Sequence, residues 1–88
     1  MNPWIAQVYV GYENNGGFPF SAVAKHRFTG KLELDGRYNS HITAIVNARS
    51  LADCHNRACT DGSGRGDTIG GRLIRAEEYD EEVGWKEI

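Results

Sequence analysis

Cysteine, net charge of one sign and long apolar runs are all scarce in this chain, and each scarcity removes a class of protein. No apolar stretch approaches the length of a membrane span, and Met1-Asn2-Pro3-Trp4 opens without the charged leader and apolar core of a secretory signal. The chain is therefore expected in the cytoplasm. Two cysteines, Cys54 and Cys59, are too few for a disulfide framework. On one helix, their five-residue separation places the Cα atoms roughly 8.6 Å apart, beyond disulfide reach, so two thiols are expected. A formal charge of −2 from 10 Lys+Arg and 12 Asp+Glu excludes a strongly basic nucleic-acid protein. There is no internal repeat, and the one low-complexity stretch is a glycine run at 62–71.

The 88 residues are 40% apolar and 25% charged, the composition of one folded domain over 1–88. Trp4 to Tyr12 alternates, with Trp4, Ala6, Val8 and Val10 on one parity, and reads as a strand. Asn15-Gly16 is a hairpin signal, and Phe18 to Phe28 supplies the returning strand, its small Ala22 and Ala24 leaving room for a helix. A short segment around Leu32-Glu33-Leu34 is a weaker strand, and His41 to Ala48 alternates like a further one. Ser50 to Thr60 reads as an amphipathic helix, capped by Ser50 and stopped by Gly62, with Leu51, Ala52, Cys54, His55, Ala58 and Cys59 on the buried arc and an Asp53–Arg57 pair outside. The glycine run then reads as a flexible connector into a strand over Thr68 to Glu78. The expected fold is α+β: a small, mainly antiparallel sheet in the order β-β-(β)-β-α-β, one amphipathic helix packed on one face, and an acidic segment at 77–88.

Catalytic and ligand-binding patterns are weak. His55 and Cys59 share a helix face and could begin a zinc site with His26 or His41, but no Cys-x-x-Cys or His-x-x-x-His pair supports it, and buried small hydrophobes are the better reading. Cys54 has no base aimed at it. The glycine run lacks the Gly-Lys-Ser/Thr of a phosphate loop and puts Asp67 where a dinucleotide fingerprint needs glycine. Arg65-Gly66-Asp67 is a chance tripeptide. The carboxylates at Glu77-Glu78 and Asp80-Glu81-Glu82 form a charge run and do not converge from separate elements. Neither an enzyme nor a cofactor is expected.

What remains is surface. With one helix on one face, Ile5, Tyr9, Val23, Ile45 and Ile74 are expected on the other, beside Lys25, Arg27 and Arg72. Residues 1–76 carry a charge of +3 and residues 77–88 one of −5, so the near-neutral total hides a basic body and an acidic tail. These features point to a small protein-binding module that docks through Tyr9, Lys25, Arg27 and Arg72 on the sheet and through Glu77, Glu78, Asp80, Glu81, Glu82 and Trp85 in the tail. Phage and mobile-element inhibitors, anti-CRISPR proteins among them, share this size and character, though no motif ties the chain to them. The expected partner is another protein, such as a nucleic-acid-binding complex whose basic groove the acidic tail opposes, or a second copy of the chain. A second reading is a weak nucleic-acid-binding domain using the Lys/Arg sheet face, and a third is a small zinc-binding domain. No membrane partner is expected.

Overall fold

The computed structural model describes residues 2–11 and 17–88. The Asn15-Gly16 hairpin signal lies outside them. Five strands and one helix follow in the order β1 (Trp4–Val10), β2 (Phe20–His26), β3 (Leu32–Tyr38), α1 (His41–Arg57), β4 (Arg72–Asp80) and β5 (Gly84–Glu87). The strands form one antiparallel sheet, β3-β2-β1-β4-β5, against which the single helix packs. This is the small α+β class that the patterning implies, with one segment in a different state.

That segment is His41 to Ala48, which is the first half of α1 and not a strand. Its alternation of Ile, Ala and Val fits either period over eight residues, and tertiary packing decides between them. The buried positions, Ala44, Ile45, Ala48 and Ala52, recur at helical spacing, whereas Ile42 and Val46 face outward. The N-cap is Ser40, whose side chain accepts from the Thr43 amide; Ser50 is mid-helix. Alanine meets alanine where α1 crosses the sheet. Ala44 and Ala48 pack with Ala6 and Ala22, so helix and sheet approach closely there, and Ala52 packs with Trp4 and Ala24.

The helix ends earlier than Gly62. Ala58 is the C-cap and Cys59 takes the left-handed conformation at φ 54°, while the Thr60 amide reaches back to the His55 carbonyl. Both cysteines consequently sit at the surface and not on the buried arc. Gly62 serves packing instead. It is buried at φ 72°, and a Cβ there would collide with the His26 ring.

The glycine run is built into the sheet edge. The Asp67 amide donates to the Leu32 carbonyl at 2.6 Å, its carboxylate accepts from the Leu34 amide at 2.8 Å, and Lys31 Nζ reaches the Ser63 carbonyl at 2.9 Å. Those Leu32 and Leu34 groups point away from β2, so this segment covers the outer edge of β3. Four residues later Gly71 lies against the Val10 carbonyl beside the start of β4. The chain between these anchors crosses the width of β3, β2 and β1. With α1 on one face of the sheet, this strap takes the other, and Ile69 within it is half-buried.

The face away from α1 is accordingly not an open apolar surface. Ile5, Gln7, Ser21 and Val23 are buried there. Ile45 and Ile74, expected on that face, belong to the helix-side core instead. Ile45 is on α1, and a bulge where β1 shifts register between Val8 and Tyr9 brings Ile74 toward the core. The acidic tail neither covers the sheet nor hangs free: it completes β4 and supplies β5.

Candidate functional site

α1 rests on β1, β2 and β3, so the β4–β5 hairpin projects past it with its helix-side surface only partly covered. Along this hairpin Tyr79 pairs with Trp85, and their rings meet edge-on with centroids 5.5 Å apart. Trp85 leans inward onto the core, while Tyr79 is exposed. Facing them from α1 are Val46, Arg49, Ser50, Asp53 and Arg57, and together these residues line an open groove of about 490 Å³. Val46 and Ile42, one helical turn apart, extend the apolar surface along the helix.

The charges around the groove are largely matched. Glu77 is almost fully buried, accepting from Arg49 Nε at 2.6 Å and from Arg75 Nε at 2.7 Å. Burial works to raise its carboxyl pKa, but hydrogen bonds and charge from Arg49 and Arg75 outweigh it and hold the group below the usual carboxylate range. Arg57 is clamped by Asp53, one turn earlier on the helix. The rim arginines therefore add little net positive field.

The ten residues read as partner-binding from sequence divide between the two faces. Tyr9, Lys25 and Arg27 lie on the side away from α1, with Glu78, and Arg27 donates to Glu78 at 2.8 Å across β1. Tyr9 donates to Gln7, and burial raises its hydroxyl pKa. Arg72 is exposed at the start of β4. Glu77 is an internal counter-ion, not a surface group. Asp80 is turned inward on its own hairpin, accepting from the Glu82 and Val83 amides at 2.8 and 3.2 Å, which lowers its carboxyl pKa. Lys86 sits 3.9 Å from Glu78 and 3.5 Å from Asp80. Among the described residues, Glu81, Glu82 and Glu87 make no ion pair, and they lie on the same hairpin as Trp85. Of Lys25, Arg27, Arg65, Arg72 and Arg75, the cations a nucleic-acid surface would use, Arg27 and Arg75 are already paired with Glu78 and Glu77.

Val46, Ile42 and Tyr79 are not legible as site residues in the sequence. Only a helical reading of 41–48 places the first two opposite Ala44 and Ala48, and Tyr79 shares parity with Glu77 on β4.

The residues of the alternative zinc reading, His55 and Cys59 with His26 or His41, do not gather into a metal site. His55 Nε2 lies 2.7 Å from Glu33 Oε1, its Nδ1 lies 3.4 Å from Thr60 Oγ1, and its ring packs 4.4 Å from Trp4. Cys59 points to solvent, and among the described residues no three His, Cys, Asp or Glu side chains gather as a metal site. The cluster instead ties the end of α1 to the sheet. Trp4 Nε1 donates to the Thr60 carbonyl at 2.9 Å, and the Asn56 amide brackets the Trp4 backbone with bonds of 2.9 and 3.1 Å. Among the described residues, no helix is long and apolar enough to cross a membrane.

Comparison with known proteins finds no matching family model, no matching curated protein and no matching solved structure.

Proposed function

We propose that this protein is a non-enzymatic protein-binding module that docks through the groove between α1 and the β4–β5 hairpin and acts by occluding its partner's surface. The observation that carries this reading is the position of α1, which leaves Tyr79, Trp85 and Val46 accessible beside the unpaired carboxylates of Glu81, Glu82 and Glu87. An aromatic and aliphatic centre with a charged rim is the anatomy of a protein interface. The charge selects a partner with a Lys/Arg-rich surface, such as the groove of a nucleic-acid-binding protein, and an inhibitor of phage or mobile-element origin acting on a host protein fits this description.

The test is affinity capture with three baits: wild type, Val46→Asp, and Lys25→Ala on the opposite face. The reading expects one protein to be retained by wild type and Lys25→Ala and lost by Val46→Asp, with all three baits folded by circular dichroism. Equal retention by Val46→Asp, or loss on Lys25→Ala alone, overturns the choice of surface. Recovery of nucleic acid in place of protein, released steeply between 50 and 200 mM salt as about 10³-fold affinity losses require, overturns the class.

A further inference from the structure

The two edges of the sheet are treated differently. On β3 the outward carbonyl of Leu32 and amide of Leu34 are taken up by Asp67. On β5 nothing equivalent is found among the described residues. The Ile88 amide bonds to the Ala76 carbonyl at 3.0 Å, which fixes the alternation of the β4–β5 ladder. Residues 84, 86 and 88 turn their backbone groups toward β4, and Trp85 and Glu87 turn theirs outward. Unpaired N–H and C=O groups at i and i+2 on an edge are a template for one more strand. An edge lysine is a common guard against such pairing, but Lys86 has its charge directed to Glu78 and Asp80 on its own sheet.

We propose that the free edge of β5 accepts an extended, basic segment of the partner as a sixth, antiparallel strand; this rests on the protein-binding reading above. The register follows from which side chains share a face. On the helix side, the residue opposite Glu87 is Lys or Arg and the residue opposite Trp85 is large and apolar, and a second basic residue two positions further on approaches Glu81 and Glu82 in the turn before β5. The residues between them, opposite Lys86 and Gly84, are small and uncharged. Read from its N-terminus, the accepted segment is basic-x-apolar-x-basic. A second copy of this chain does not fit. Pairing β5 with itself about Lys86 sets two lysines opposite each other, and pairing about Trp85 brings two hairpins together, each with Glu81, Glu82 and Glu87 unpaired.

The probe is a capped ten-residue peptide containing Lys-Thr-Phe-Thr-Lys, titrated into the ¹⁵N-labelled full chain, with a control peptide in which both lysines are glutamate. The expected result is saturable shifts of the Trp85 and Glu87 amides, slowed hydrogen exchange at those two amides, and at least tenfold weaker binding of the control peptide. Glu87→Lys is expected to weaken the basic peptide tenfold and to leave the fold intact. Shifts confined to α1 and Tyr79, without protection at Trp85 and Glu87, overturn strand addition while leaving the groove as a docking site. No shift at millimolar peptide overturns it as well, and whether Val46→Asp still releases the captured protein then decides the fate of the docking reading separately. Concentration-dependent shifts of the same amides without peptide overturn the choice of partner in favour of a second copy.

Discussion

Replacing Glu77 by Gln keeps the shape of the side chain and removes the charge that Arg49 and Arg75 share. The Glu77 side chain is 2% exposed, while the two arginine side chains are 32% and 28% exposed, so the guanidiniums can turn to water once the carboxylate is gone. Removing one partner of a fully buried pair costs about 3–5 kcal/mol; this escape to solvent places Glu77→Gln near 2–3 kcal/mol. That is a large part of a stability of roughly 4–13 kcal/mol for a chain of this size. With a urea m-value of about 1 kcal/mol/M, the midpoint at pH 7 should fall by about 2–3 M, followed by the fluorescence of Trp4 and Trp85. The pH dependence gives an independent check. Glu77 has a folded pKa below its ordinary 4.5, so its contribution is complete above pH 4.5 and is lost as pH falls through the lowered value. Wild type and variant should therefore differ at pH 7 and converge on acidification. A midpoint shift below about 0.5 M, or a difference that persists unchanged to pH 2, would refute the role of Glu77 as the buried counter-ion of Arg49 and Arg75.

Further outcomes follow from other contacts. Gly62→Ala adds a methyl group against the His26 ring at positive φ and should cost at least about 2 kcal/mol in the same assay, whereas Gly70→Ala, where a Cβ meets nothing, should cost less than about 1. Asp67→Ala removes the acceptor of the Leu34 amide and should destabilise by about 1 kcal/mol, with faster hydrogen exchange at Leu34 and unchanged exchange at Ala24. Ser40→Ala should cost about 0.5 kcal/mol, the low end for a cap, because the Oγ to Thr43 amide separation is 3.4 Å.

The antiparallel sheet is legible in the sequence because β1 and β2 alternate cleanly and bury both faces in register. The helix is half legible. Its second half shows the Asp53–Arg57 pair, but its first eight residues place Ile42, Ala44, Val46 and Ala48 at alternate positions, and only contact with Ala6 and Ala22 assigns them to a helix. The fate of the tail lies beyond sequence reasoning. Glu77 looks like one acid in a run, and its role depends on Arg49, brought beside it by α1. The exposed centre of the candidate site is hidden for the same reason, since the alternation of 41–48 puts Val46 in the interior of a strand. Gly62 and the edge-covering Asp67 are concealed in a run that composition alone marks as flexible.

The strand order also sets the order in which the chain can close. β1 pairs on one side with β2, close by in sequence, and on the other with β4, whose Glu77 is Ala6's neighbour from the far end of the chain. The first three strands and α1 make a unit of mostly short-range closures. The β4–β5 hairpin must wait for the strap from Asp67 to Gly71 to cross three strands, and loop-closure entropy makes that step the slowest to be rewarded. The last piece to dock is the first to leave in native-state fluctuations, held at its root by one carboxylate between two arginines. Amides of β4 and β5 should thus exchange through openings that leave Ala24 and Ala48 protected, and the surface proposed to meet a partner rides on the part of the fold that opens first.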